Sequence, residues 1–154
     1  MAGARAAAKA PKFSIPTTGG VFRLGDQGDM NLVVYFYPRD NTPGCTLEGS
    51  DFRDLAPAFR RARTRILGIS TDTLESHRRF KDKMKFPFEL GSDEDHAVAS
   101  LFGAWRQKNM YGRKMMGVER STFLIDSKGA IRREWRKVRV KGHAGDVLAA
   151  AREI

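Results

Sequence analysis

The sequence predicts an α/β fold in which a mixed central β-sheet is flanked by helices and extended by an N-terminal β-hairpin. Three observations predict it. Leu32-Val33-Val34-Tyr35-Phe36-Tyr37 is a continuous β-branched and aromatic run stopped by Pro38, the pattern of a strand covered on both faces. Strand-like and helix-like periods then alternate along the chain, which argues for a mainly parallel sheet. Near the C-terminal end, Ser127-Lys128-Gly129 joins two extended segments, a hairpin that makes the sheet mixed.

The elements follow in order. Residues 13–24 read as short extended pieces broken by Gly19 and Gly20, a hairpin, and Asp26, Gly28 and Asp29 form a turn. After the 32–37 strand, residues 38–44 are turn-rich. Thr42 followed by Pro43 fits a helix N-cap and a first-turn proline. Phe52, Leu55, Ala56 and Phe59 recur at helical spacing, giving a helix over 45–61. Residues 66–70 form a strand, 73–85 a helix capped by Thr73 and stopped by Pro87, and 88–90 a brief strand. A helix is expected over 93–102, its acidic start matching the dipole. Residues 106–117, with Gly112, Gly117 and three methionines, read as a long loop. Strands follow at 121–126 and 130–138, and a helix over 142–152 closes the chain.

The chain has 154 residues, one domain's worth. We expect a disordered N-terminal tail over 1–12 and a single domain over 13–154. The tail lacks the apolar core of a secretory signal, which points to the cytoplasm. No apolar stretch is long enough to span a membrane. A single cysteine excludes an internal disulfide and a multi-cysteine metal site. His77, His96 and His143 show no ligand spacing, so no metal or other cofactor is expected. The formal net charge is +10. Its runs at 60–65, 77–79 and 132–141 read as solvated faces or as a surface that steers an acidic partner, and nucleic-acid binding is not expected.

The one cysteine, Cys45, falls just after Gly44 in the first turn of a helix, at the carboxyl end of the most apolar strand. Open α/β sheets bind ligands there. Unpaired amides and the helix dipole favour an anion, and so favour a thiolate over a thiol. The competing reading is a small buried hydrophobe, a common fate of free cysteine.

The segment from Tyr35 through Pro38, Thr42 and Cys45 to Asp54 resembles the active-site loop of the peroxiredoxins, and in particular the bacterioferritin-comigratory, or peroxiredoxin Q, branch. Collinear matches continue through Gly68-Ile-Ser-Thr-Asp72, Ser76-His77, Phe86-Pro87-Phe88, Ser92-Asp93, Met110-Tyr111-Gly112, Arg120-Ser-Thr-Phe-Leu-Ile-Asp126 and Lys137-Val-Arg-Val-Lys-Gly-His143. The resemblance spans residue 13 to the end. It implies a thioredoxin-like fold and a thiol-dependent peroxidase that reduces hydrogen peroxide and organic hydroperoxides through a sulfenic acid on Cys45.

The resemblance also implies roles for the neighbours. Thr42 offers a hydroxyl to sulfur and peroxide, and Arg120 a guanidinium. The amides of Gly44 and Cys45 complete the pocket, Pro38 shields the sulfur from water, and Glu48 orients Arg120. Read without it, Thr42 is an N-cap, Arg120 a strand arginine and Glu48 a solvated helix carboxylate. Met110, Met115 and Met116 either pack or line a loop near the pocket.

Many members of the branch carry a second cysteine five positions after the first. Ser50 stands there in this chain, and no later cysteine replaces it. The chain is therefore of the one-cysteine type. Its sulfenic acid needs an outside thiol: thioredoxin, glutaredoxin, glutathione or another copy's Cys45. A monomer or weak homodimer is expected. The rival from another class is a non-catalytic basic protein of the same fold that binds a polyanion.

Overall fold

The computed structural model describes residues 8–154. An eight-stranded sheet forms its centre, in the order β1-β10-β9-β4-β5-β6-β2-β3. Strand β4 (Asn31–Phe36) lies in the middle, between β5 (Thr64–Ser70) and β9 (Ser121–Ile125). Its side chains alternate between two cores, as a strand's period of two requires. Val33 and Tyr35 join Phe52 and Phe59 of α1 (Pro43–Arg61) and Val147 and Leu148 of α4 (His143–Ala151). Leu32, Val34 and Phe36 join Val98, Phe102 and Phe123 on the other face. The continuous apolar run in the sequence is thus the signature of a strand with no solvent-facing side.

Helix α1 begins at Pro43, whose fixed φ suits a first helical position. Helix α2 (Leu74–Met84) is capped as expected: Thr73 accepts the Ser76 N–H at 3.1 Å. The C-cap Lys85 is left-handed, ahead of Pro87. Strands β2 (Ser14–Thr17) and β3 (Gly20–Arg23) make the expected hairpin, seated against β6 (Glu89–Ser92) at the sheet edge.

Four expectations need correction. The sheet is mixed but not mainly parallel. Among the named strands of the described residues, only β4–β5 and β5–β6 pair in parallel, and the other pairings are antiparallel. The hairpin chemistry at both ends of the chain outnumbers the crossovers. The 1–12 tail is shorter than expected, because β1 (Ala8–Lys9) pairs with β10 (Ala130–Trp135) and Ala10 is buried. Residues 1–7 lie outside the described residues. The 93–102 helix shrinks to α3 (Ala97–Leu101). Asp93 is not in it but is buried before it, accepting the N–H groups of Val98 and Ala99 at 3.0 and 2.8 Å.

The 106–117 loop is instead a two-stranded ribbon, β7 (Trp105–Met110) and β8 (Arg113–Val118), turning at Tyr111-Gly112 with both residues at positive φ. Its side chains are mostly exposed on both faces, so no hydrophobic alternation marks it. No helix among the described residues is long and apolar enough to cross a membrane.

Candidate active site

Sheet register assembles the site. Phe36, the last residue of β4, pairs with Ser121, the first of β9. The residue before β9, Arg120, therefore lies beside the end of β4, where the chain turns into α1 and presents Cys45. Two residues 75 positions apart meet because two strands end in register.

Cys45 is 2% exposed. Arg120 Nη2 donates to its Sγ at 3.4 Å, and Arg120 Nη1 donates to Glu48 Oε1 at 2.6 Å. Cys45 and Glu48 lie three positions apart on one face of α1. One planar guanidinium thus bridges a sulfur and a carboxylate, a geometry that a flexible ammonium does not reproduce. Gly44 makes room for it: a β-carbon there would lie 3.2 Å from Arg120 Nη2. The Thr42 side chain makes no capping hydrogen bond, so it claims neither the Gly44 nor the Cys45 N–H. Those first-turn amides remain as donors at the positive end of the helix.

The structure brings together Cys45, Arg120, Glu48 and Gly44. It holds Thr42 at the N-cap position but turns its hydroxyl to the Arg39 carbonyl, at 2.9 Å, and not to the sulfur. Pro38 is half-buried on the same turn, and no hydrogen bond ties it to the sulfur. Ser50 donates to the Leu47 carbonyl at 2.9 Å.

Glu48 is 1% exposed, and its Oε2 has no hydrogen-bond partner among the described residues. Burial pushes its carboxyl up to about 7, against the pull of Arg120. His143, at the start of α4, is pushed the other way. Burial lowers it to about 4, with the Arg120 charge adding to the fall and Asp146 opposing it. Its Nε2 lies 2.8 Å from the Thr122 hydroxyl.

These shifts have opposite signs in stability. A carboxyl raised from 4.5 to about 7 binds more proton in the folded chain, so its contribution is full below pH 4.5 and is lost as pH rises to 7. A histidine lowered from 6.5 to about 4 binds less, so its contribution is full above pH 6.5 and is lost as pH falls to 4. The two slopes oppose each other between pH 4.5 and 6.5. Glu48→Gln removes the first, and its unfolding free energy should then climb with pH relative to wild type, by up to about 3 kcal/mol between pH 4.5 and 7. Urea unfolding at half-unit steps checks this. Parallel curves for variant and wild type would refute the protonation of Glu48.

Sequence reasoning missed two features. Lys108, on the ribbon, is half-buried, and its ammonium is lowered by burial and by Arg120 while Cys45 and Glu119 pull upward. It therefore faces the site electrostatically, which no loop reading suggests. The second is a buried clamp under the 37–42 turn. Asp40 accepts from Tyr37 OH at 2.6 Å and from Ser76 Oγ at 2.8 Å, and its Oδ2 lies 2.7 Å from His77 Nδ1. His77 Nε2 lies 2.8 Å from the Gly91 carbonyl, which can only accept, so a proton must also lie between His77 Nδ1 and Asp40. Asp72 accepts from the Asp40 N–H and from Ser70. Ligand atoms of Asp40, Asp72 and His77 lie within 4.8 Å of one another, but each is already engaged by these internal hydrogen bonds. The cluster fixes the turn that carries Thr42 and Gly44.

Residues 6–134 match the AhpC/TSA family. The chain is 42% identical over 147 residues to the Bacillus subtilis Peroxiredoxin Bcp, covering 95% of this chain and 94% of that one. It is 52% identical over 119 residues to the Xanthomonas campestris Peroxiredoxin Bcp, covering 77% and 74%. A solved structure of Xanthomonas campestris Peroxiredoxin Q superposes with a TM-score of 0.89 at 42% identity, over 99% and 98% of the two chains. Another, of the Xanthomonas campestris bacterioferritin comigratory protein from work on its alkyl peroxide reduction activity, gives 0.87 at 45% identity, over 92% and 90%.

Proposed function

We infer the working of the site from one premise: the chain belongs to the AhpC/TSA family and is a thiol-dependent peroxidase, a peroxiredoxin with the thioredoxin-like fold. Cys45 is the peroxidatic residue. Its thiolate attacks the terminal oxygen of a hydroperoxide. The S–O bond forms as the O–O bond breaks, sulfur loses two electrons, and the departing alkoxide or hydroxide takes a proton to leave as alcohol or water. The observation that carries this reading is Arg120 Nη2 at 3.4 Å from the sulfur, with the other arm of the same guanidinium fixed on buried Glu48.

Negative charge in the transition state spreads from sulfur over two oxygens. A fixed guanidinium and the first-turn amides of Gly44 and Cys45 meet that charge without reorganising. We add to the pocket the Thr42 hydroxyl, which now rests on the Arg39 carbonyl, and the half-buried Pro38 ring of the same turn, which supports the reading that it keeps water from the sulfur. Alkyl hydroperoxides are accepted along with hydrogen peroxide, a reading supported by the related Xanthomonas protein's alkyl peroxide reduction.

The single cysteine requires an external reductant. A first thiol attacks the sulfenic acid, releasing water and leaving a mixed disulfide. A second thiol releases Cys45 and carries the disulfide away. Glutathione, glutaredoxin and thioredoxin all supply this chemistry, and a reducing cytoplasm supports it. The state proposed with this chemistry is a monomer or weak homodimer.

Stoichiometry tests the reading. With no thiol present, one molecule of protein should consume one molecule of peroxide at low excess and stop. Addition of glutathione, of a glutaredoxin system or of a thioredoxin system should restore turnover with at least one of them. Continued consumption without thiol would refute it.

A further inference from the structure

At the end of the sheet away from Cys45, a cavity of about 670 Å³ opens between the N-terminal segment, the turn after β3 and the β9–β10 turn. Arg120 precedes β9 and Ser127-Lys128-Gly129 follows it, so the length of this strand, roughly 17 Å, separates the two places. The volume is that of a small-molecule site.

Four cations line the cavity, Lys9, Lys12, Arg23 and Lys128. None of the four side chains makes a salt bridge among the described residues. The carboxylates on the same turns are already engaged: Asp26 accepts the Arg23 N–H at 2.9 Å, and Asp126 accepts those of Lys128 and Ala130 at 2.9 and 3.0 Å and pairs with Arg132 at 3.5 Å. Ala10, Phe13 and Leu24 supply an apolar wall.

Gln27 is the second, independent observation. It lines the cavity, is 5% exposed, and its Nε2 has no hydrogen-bond partner among the described residues. The Gly25 N–H donates to its Oε1 at 2.8 Å, which fixes the orientation of the amide and leaves Nε2 as the donor. Buried donors are almost always paired, and one left unpaired calls for a reason.

We propose that this cavity binds a small, multiply charged phosphate compound of nucleotide size. Lys9, Lys12, Arg23 and Lys128 hold the phosphate oxygens, Gln27 offers its unpartnered Nε2 beside them, and the apolar wall takes a ring if one is present. Point-charge lysines and a forked arginine are suited to phosphate. Part of the +10 surplus thereby acquires a defined role.

Calorimetric titration of the full chain at physiological salt tests this with three probes: ATP, tripolyphosphate and adenosine. ATP and tripolyphosphate should saturate one site in the sub-millimolar range, and adenosine should not bind. The Lys12→Glu/Lys128→Glu variant should lose on the order of tenfold or more in affinity, and Gln27→Leu several-fold, with peroxidase activity unchanged in the lysine variant. Arg60→Glu/Arg61→Glu alters the net charge equally at a distance and should bind as wild type. Failure to saturate, equal binding of adenosine, or equal weakening by the two charge-reversed variants would overturn the proposal.

Discussion

Cys45→Ser should abolish thiol-dependent peroxide consumption, with a fall of at least about 10³-fold and no residual burst. The seryl oxygen can neither ionise at neutral pH nor be oxidised to a stable two-electron product that a thiol reduces back. Serine is close to cysteine in size, and the site is already polar, with Arg120 able to donate to the new oxygen as it does to sulfur. The fold should therefore survive, and an unchanged melting temperature separates lost chemistry from lost structure. Retained turnover in this variant would remove Cys45 from the reaction and leave the polyanion-binding reading of the basic surface as the surviving account.

Arg120→Met should lower the second-order rate constant for Cys45 oxidation by about 10²–10³-fold, the usual effect of deleting one preorganised donor from a site of developing charge. It should also destabilise. Glu48 would be left buried with neither oxygen paired, and a buried charge stripped of its partner typically costs about 3–5 kcal/mol. Protonation of Glu48, whose carboxyl already sits at about 7, moderates that loss and makes it smaller in acid. The two effects separate in the double variant. Arg120→Met/Glu48→Gln should recover most of the stability and none of the rate. Arg120→Lys keeps the charge without the fork and should lie between, about tenfold below wild type in rate. Peroxide-jump kinetics followed by tryptophan fluorescence, together with urea unfolding, measure both quantities. Recovery of the rate in the double variant would assign Arg120 a purely structural role.

The sequence carried the core of this account because its strongest signals are local. Leu32 through Tyr37 has no polar residue to permit a solvent face, and both faces are indeed covered. Thr73 and Ser76 cap α2 within one turn of chain. Cys45 after Gly44 at a helix start is also a local pattern. Arg120 is different in kind: only resemblance selected it from the chain's arginines, since its place beside Cys45 depends on the pairing of Phe36 with Ser121.

What the sequence hid depends on long-range packing or on weak patterns. The ribbon at 105–118 pairs apart from the main sheet and is mostly exposed, so it lacks the alternation that reveals a strand. Strand–helix alternation along the chain suggests a more parallel sheet than the hairpins at both ends allow. The resemblance aims Thr42 at the sulfur, whereas its hydroxyl donates to the Arg39 carbonyl. Asp40 and His77, 37 positions apart, gave no sign of their pairing.

The central claim is that this site favours the peroxide reaction in particular, through a guanidinium held against the sulfur by Glu48, beyond any general activation of the thiol. Rate constants for Cys45 with hydrogen peroxide and with iodoacetamide, divided one by the other and set against the same ratio for free cysteine, test it most directly. A ratio at least about 10²-fold above that of free cysteine, collapsing in Arg120→Met, is the result expected. A ratio equal to that of free cysteine would mean that nothing around the sulfur recognises the transition state.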